Sequence, residues 1–221
     1  MLAGMRGYYA IVNIGLDVVA GDRQPSLPAE VERRARDLLA ARPCFLQLRA
    51  KSLGAAALRD AARALLPLCR AARVPLCVND RLDVALLVGA DAVHLGQDDL
   101  PLAEARRIAA GRLLIGCSTH RPDQAQAAIA GGADYIGFGP IFDTRSKLRP
   151  DPTVGLEALR AVCAASPIPV VAIGGITLQT VDAVAATGAA AAAVISAVDQ
   201  AFDPTAAARQ VAAAFVKSPG K

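Results

Sequence analysis

Residues 75–95 read PLCVNDRLDVALLVGADAVHL. An apolar run at 75–79 gives way to helically spaced apolar residues at 82–88, and Gly89-Ala90-Asp91 leads into a second apolar run at 92–95. Neither apolar run alternates with polar residues, the pattern of strands covered on both faces in a parallel sheet. Gly-Ala-Asp reads as a helix C-cap followed by a strand start, and it recurs at Gly132-Ala133-Asp134. Working outward, further strands are expected at 7–13, 44–49, 113–117, 135–137, 170–173 and 191–195. Helices are expected at 29–42, 55–72, 102–109, 122–130, 156–165, 178–186 and 205–216. Eight units average about 27 residues each, close to the minimum for a strand–helix repeat. That alternation predicts a closed (β/α)8 TIM barrel, with residues 1–221 as a single domain.

Composition narrows the function. Lys and Arg number 24 against 20 Asp and Glu, a net charge of +4 that argues against nucleic-acid or anionic-membrane partners. A chain of this length buries roughly 70% of its unfolded surface and needs no disulfide or metal staple. No apolar run reaches the ~18 residues of a membrane helix. The start lacks the pattern of a signal peptide. Cys44, Cys69, Cys77, Cys117 and Cys163 form no C-x-x-C or Cys/His cluster. Their odd number points to reduced thiols and a cytoplasmic protein, and structural zinc is rejected. A G-x-S-x-G elbow and the Rossmann and Walker A fingerprints are all absent.

In a barrel, chemistry belongs to residues ending the strands. Alternation puts Gln47, Arg49 and Lys51 on one side of the second strand, where the two cations read as a phosphate clamp or as a surface ion-pair network. Asn79 and Asp80 end the third strand, and His94 precedes Gly96-Gln97-Asp98-Asp99 at the fourth. Asp80 and Asp99 are candidate ligands of a Mg2+ ion bridging a pyrophosphate; Asn-Asp also suits a turn or cap. Asp83 reads as a first-turn helix residue. Ser118 and Thr119 either cap the fifth helix or donate to phosphate. His120 is an acid/base candidate or a structural residue, and His94 either bonds a heterocycle or stays neutral in the core.

After the seventh strand, Gly174-Gly175 permits close approach of a phosphate or makes a tight turn, and Ile195-Ser196 ends the eighth. The segment 137–147, with Thr144, Arg145, Ser146 and Lys147, reads as a loop that closes on substrate or as a solvated connection.

These residues resemble the thiamine phosphate synthase family. The match runs in order through Gln47-Leu48-Arg49-x-Lys51, Asn79-Asp80-Arg81-x-Asp83, His94-Leu95-Gly96-Gln97-x-Asp99 and Gly116-x-Ser118. It continues through Gly139-Pro140-Ile141-Phe142-x-Thr144-x-x-Lys147, Gly174-Gly175-Ile176 and Ile195-Ser196. The resemblance implies a transferase that condenses hydroxymethylpyrimidine diphosphate with a hydroxyethylthiazole phosphate, releasing pyrophosphate in a dissociative step. It implies that Arg49, Lys51, Asn79, Ser118 and Lys147 hold the diphosphate and that Asp80 and Asp99 bind Mg2+. Thr144, Ser146, Gly175, Ile195 and Ser196 would take the thiazole phosphate, and Gln47 and His94 are further substrate contacts. The chain departs from the family at Ala50, where many members carry an acid, at Ser146, where Thr is common, and at 14–28, where the usual Thr-Asp ending of the first strand is missing. Ala50 is expected to turn away from the site. A thiazole tautomerase of the same fold, with His120 as acid/base, and a non-catalytic thiamine phosphate sensor are the rival readings. Both substrates are small molecules, and a homo-oligomer is compatible with the sequence.

Overall fold

The computed structural model describes residues 5–14, 27–144 and 151–217. Strand β1 (Gly7–Asn13) is followed by α1 (Leu27–Leu39), β2 (Phe45–Arg49), α2 (Ala55–Ala72), β3 (Leu76–Asn79) and α3 (Leu82–Val88). Then come β4 (Ala92–Leu95), α4 (Leu102–Ala109), β5 (Leu114–Thr119), α5 (Pro122–Ala130), β6 (Tyr135–Phe138) and α6 (Gly155–Ala165). The chain continues with β7 (Val170–Ile173), α7 (Val181–Ala185), β8 (Ala191–Ala193), α8 (Ser196–Asp199) and α9 (Pro204–Lys217). The strands form a closed barrel in sequence order, every neighbouring pair parallel, with β8 closing on β1. The expected (β/α)8 barrel is therefore the observed one.

Strand parity builds two cores. Tyr8, Ala10 and Val12 point outward into the layer shared with the helices, as do Leu46, Leu48 and Ala50. Ala50 thus faces away from the barrel interior, as alternation requires. Inside the barrel, Tyr9, Ile11, Phe45, Cys77, Ala92, Tyr135, Val171, Ala191 and Ala193 pack together. Helices close the outer layer by their spacing: α2 buries Leu58, Ala61, Ala62, Leu65 and Cys69, one face at three- and four-residue steps.

The Gly-Ala-Asp repeat acquires a physical role at the N-terminal face. Gly89 caps α3 in the left-handed region at φ 70°. In the second copy Gly132, at φ 83°, takes that conformation, while Gly131 stays right-handed. The acid after each turn then staples two strands and a helix. Asp91 accepts the Leu76 amide at 2.9 Å and Arg70 of α2 at 2.9 Å, and Asp134 accepts the Ile115 amide at 2.7 Å and pairs with Arg106 of α4.

Several expected boundaries shift. Strand β5 extends to Thr119, so Ser118 and Thr119 do not cap α5; its N-cap is Arg121, with no side-chain cap bond. Strand β8 stops at Ala193 rather than at residue 195, because Ile195 and Ser196 open the short helix α8, which the sequence reading lacks. The seventh helix begins at Val181, not 178, after a turn held by the Thr180 hydroxyl, which accepts the Thr177 amide at 2.9 Å.

Candidate active site

The C-terminal ends of β2, β3 and β4 bring cations and acids to one rim. Arg49, last in β2, donates to the Asn13 side chain of β1 at 2.7 Å. Burial lowers its pKa while the Asp80 carboxylate acts to raise it. Lys51 is mostly exposed and reaches Asp80 with Nζ–Oδ2 3.4 Å. Asp80 sits at φ 63°, a left-handed conformation that Asp tolerates better than most side chains. Its amide donates to the His94 carbonyl at 2.8 Å, which fixes the turn at the strand end. Gly96-Gln97-Asp98-Asp99 folds back so that Asp99 Oδ2 accepts the Gly96 amide at 2.6 Å. Burial pushes the Asp80 carboxyl up to about 6, the Asp99 carboxylate adds to the rise, and Lys51 opposes it. A cleft of about 160 Å3 opens beside this rim, lined by Ala50, Lys51, Leu53, Leu58, Asn79, Asp80 and Arg81.

Deeper in the mouth, a chain of polar side chains crosses the barrel. Gln47, buried, donates to the Tyr9 hydroxyl at 3.0 Å, and Tyr9 and Tyr135 share a hydrogen bond of 2.8 Å. The Tyr135 hydroxyl meets His94 Nδ1 at 3.2 Å and lies 3.6 Å from Cys77 Sγ. On its other side His94 Nε2 is 2.9 Å from Ser118 Oγ. Burial lowers the His94 pKa to about 4, with Asp99 opposing, so the ring is neutral near pH 7. Burial also holds both tyrosines well above their ordinary value and pushes the Cys77 thiol up to about 11. None of these three is a base or a thiolate nucleophile near neutrality.

The remaining candidates divide. Thr119 is buried and donates to the Gly137 carbonyl at 2.9 Å, so its hydroxyl is committed to the fold. His120 Nδ1 lies 2.5 Å from the Gly139 carbonyl, and Nε2 is 3.4 Å from Asp151. Its ring thus ties β5 to both ends of the β6–α6 connection. Asp83 forms a two-bond pair with Arg81, at 2.9 and 2.6 Å, on the exposed first turn of α3. Gly174 and Gly175 have φ of 99° and 65°. A Cβ on Gly174 would lie 2.5 Å from Pro140 Cα, and one on Gly175 would lie 2.4 Å from the Asp143 carbonyl oxygen. The approach that requires these glycines is therefore that of the protein's own 140–143 segment. Thr144 ends the described part of that connection; Ser146 and Lys147 lie outside the described residues.

Sequence reasoning missed the interior tyrosines Tyr9 and Tyr135 as part of the site. A signal existed: Tyr135 pairs in register with Gly116, and a Cβ there would lie 2.1 Å from the Tyr135 ring. Asn13 and Asp151 were also missed, since their partners Arg49 and His120 are distant in sequence.

A closed parallel barrel with its cations, acids and interior imidazole gathered at the C-terminal mouth defines a (β/α)8 enzyme acting on small molecules. A profile described as thiamine monophosphate synthase matches residues 16–198. The chain is 49% identical over 201 residues to the thiamine-phosphate synthase of Anaeromyxobacter dehalogenans, covering 91% of this chain and 87% of that one. It is 44% identical over 186 residues to the thiamine-phosphate synthase of Moorella thermoacetica, covering 84% and 89%. Among solved structures it superposes on thiamine phosphate pyrophosphorylase from Pyrococcus furiosus with a TM-score of 0.85 and 33% identity, covering all of both chains. The chain belongs to the thiamine monophosphate synthase family. Its activity is that of a thiamine-phosphate synthase, a transferase. No helix among the described residues is long and apolar enough to cross a membrane.

Proposed function

We propose that the chain joins hydroxymethylpyrimidine diphosphate to a hydroxyethylthiazole phosphate, or its carboxylated form, with release of pyrophosphate. The observation that carries the reading is the meeting of Arg49, Lys51, Asp80 and Asp99 at one rim, with Lys51 3.4 Å from Asp80 and the Asp80 pKa raised to about 6. Two hard carboxylates in an incomplete cage suit Mg2+, with substrate oxygens and water completing its shell. Asp80 and Asp99 would hold that ion, which neutralises charge on the diphosphate when bound. Arg49, Lys51, Asn79, Ser118 and Lys147 are assigned to the diphosphate. Thr144, Ser146, Gly175, Ile195 and Ser196 are assigned to the thiazole phosphate, and Gln47 and His94 to the pyrimidine.

The chemistry asks little of protein nucleophiles. The bond between the pyrimidine methylene carbon and the diphosphate oxygen breaks, and its electron pair leaves with the diphosphate. The electron-rich pyrimidine stabilises the resulting cation until the thiazole nitrogen forms the new carbon–nitrogen bond. Positioning and charge stabilisation supply the rate, in keeping with a Cys77 thiol that burial keeps protonated. A neutral His94 adds no positive charge beside the developing cation.

The test is pyrophosphate release from both substrates, with and without Mg2+, alongside Asp99→Ala. Release that needs both substrates and the metal, and is lost in the variant, supports the assignment. No release, with interconversion of thiazole tautomers instead, overturns it in favour of an isomerase using His120.

A further inference from the structure

The interior hydrogen-bond chain admits a proton count. Gln47 Nε2 donates to the Tyr9 oxygen, so the single Tyr9 hydrogen goes to the stronger of the two acceptors beside it, the Tyr135 oxygen at 2.8 Å rather than the Cys77 sulfur. Tyr135 then has one hydrogen of its own and two acceptors, His94 Nδ1 at 3.2 Å and Cys77 Sγ at 3.6 Å. Nitrogen is the stronger acceptor and the nearer one. With Nδ1 accepting the Tyr135 hydrogen, the ring hydrogen of His94 sits on Nε2 and is donated to Ser118 Oγ at 2.9 Å. Ser118 is left with its own hydrogen to give, and it lies at the end of β5 facing the mouth.

We infer that Tyr135 is a positioning residue: through Nδ1 of His94 it fixes the imidazole tautomer that makes the Ser118 hydroxyl a donor into the active site. The surrounding sequence makes room for this arrangement. Gly116 lies beside Tyr135 in register, and a Cβ there would meet the Tyr135 hydroxyl oxygen at 2.5 Å. Gly137, beside Ser118 in register, would place a Cβ 3.3 Å from the His94 ring. With the opposite tautomer, Nε2 would accept the Ser118 hydrogen, and a diphosphate oxygen at Ser118 would meet only lone pairs.

The inference rests on the reading of Ser118 as a diphosphate contact, and the experiment separates the two. Nitrogen-15 NMR of the resting wild-type protein reads the His94 tautomer without substrate. The expected result is a protonated Nε2 and a bare Nδ1; a protonated Nδ1 overturns the inference, whether or not any variant folds. In Tyr135→Phe the tautomer should become mixed, while Cys77→Ala should leave it unchanged. Loss of one hydrogen bond to a charged oxygen predicts a fall in kcat/KM of roughly tenfold in Tyr135→Phe. Ser118→Ala should show a similar fall, and the double variant no further loss. An unchanged tautomer in Tyr135→Phe, or additive losses in the double variant, refutes the positioning role. Wild-type kinetics in Ser118→Ala with the tautomer as expected would instead remove Ser118 from the diphosphate site.

Discussion

Burial of a neutral imidazole makes His94 a liability in acid. Its pKa is depressed from 6.5 to about 4, burial being the larger cause and Asp99 the smaller, opposing one. The unfolded chain therefore binds a proton on this residue between those values that the folded chain refuses. Stability from keeping His94 neutral is fully present above 6.5 and is lost as pH falls toward 4. A fully shielded ring would forfeit about 3 kcal/mol across that window. His94 is only partly buried at the mouth, and solvent screening reduces the expected loss by pH 5 to about 1–2 kcal/mol. Asp80, raised to about 6, acts with the opposite sign in the same window, so the wild-type curve alone does not isolate His94. Urea unfolding at pH 8 and pH 5 of wild type and His94→Gln removes the shared Asp80 contribution by difference. Wild type should lose about 1–2 kcal/mol more than the variant between these pH values. The chain has only two histidines, so an NMR titration assigned with His120→Gln reads the His94 pKa directly. Equal pH dependence in the two proteins, or a His94 resonance titrating near 6.5, would refute the reasoning.

Three further outcomes are expected. In the metal-free protein the raised Asp80 pKa contributes stability that is present below 3.8 and lost as pH rises through about 6. Asp80→Asn should therefore stabilise the apo protein at pH 8, by about 1 kcal/mol after screening, and abolish any rise in melting temperature with Mg2+. Thermal melts with and without the ion check both. Asp91→Ala removes acceptors for the Leu76 amide and Arg70 at the opposite face; it should cost about 2 kcal/mol in urea unfolding and leave KM unchanged. Gly175→Ala puts a Cβ at φ 65° and 2.4 Å from the Asp143 carbonyl oxygen. It should destabilise by more than about 1 kcal/mol and raise KM for the thiazole phosphate in steady-state assays.

The barrel was legible because its evidence is local: uninterrupted apolar strands, helical spacing between them, and turns such as Gly89-Ala90-Asp91. The rim was legible for the same reason, since parity puts Gln47, Arg49 and Lys51 on one side of the strand, and barrel closure turns that side of β2 inward. Strand ends were less so. Ser118 and Thr119 look like helix caps in sequence, yet strand pairing with Gly137 and Phe138 carries β5 through them. The role of Gly174 and Gly175 was hidden because the surface they make room for, residues 140–143, arrives from the neighbouring strand. In sequence, Tyr135 marks the start of a strand and nothing more. Its hydroxyl acquires meaning only when barrel closure brings Tyr9 to 2.8 Å from it, 126 residues away.

The aspartates at the two ends of the strands show how one residue type serves opposite ends of the barrel. At the N-terminal face, Asp91 meets an arginine and a backbone amide, so its charge is matched within the fold. At the C-terminal face, Asp80 occupies a left-handed backbone conformation, faces a second carboxylate, and has a lysine at 3.4 Å as its cationic neighbour. Burial is the larger cause of its raised pKa, the second carboxylate adds to it and Lys51 opposes it, so an ionised Asp80 is poorly solvated at the rim and only partly compensated there. Such an arrangement persists only because the barrel fixes it from elsewhere, as with the Asp80 amide bonded to the His94 carbonyl at 2.8 Å. A cation arriving with a diphosphate would satisfy both acids while the diphosphate meets Arg49 and Lys51. On the proposed assignment the carboxylate that costs the apo protein stability is also the one that answers the metal, so variants that neutralise Asp80 should gain apo stability and lose their response to Mg2+ together.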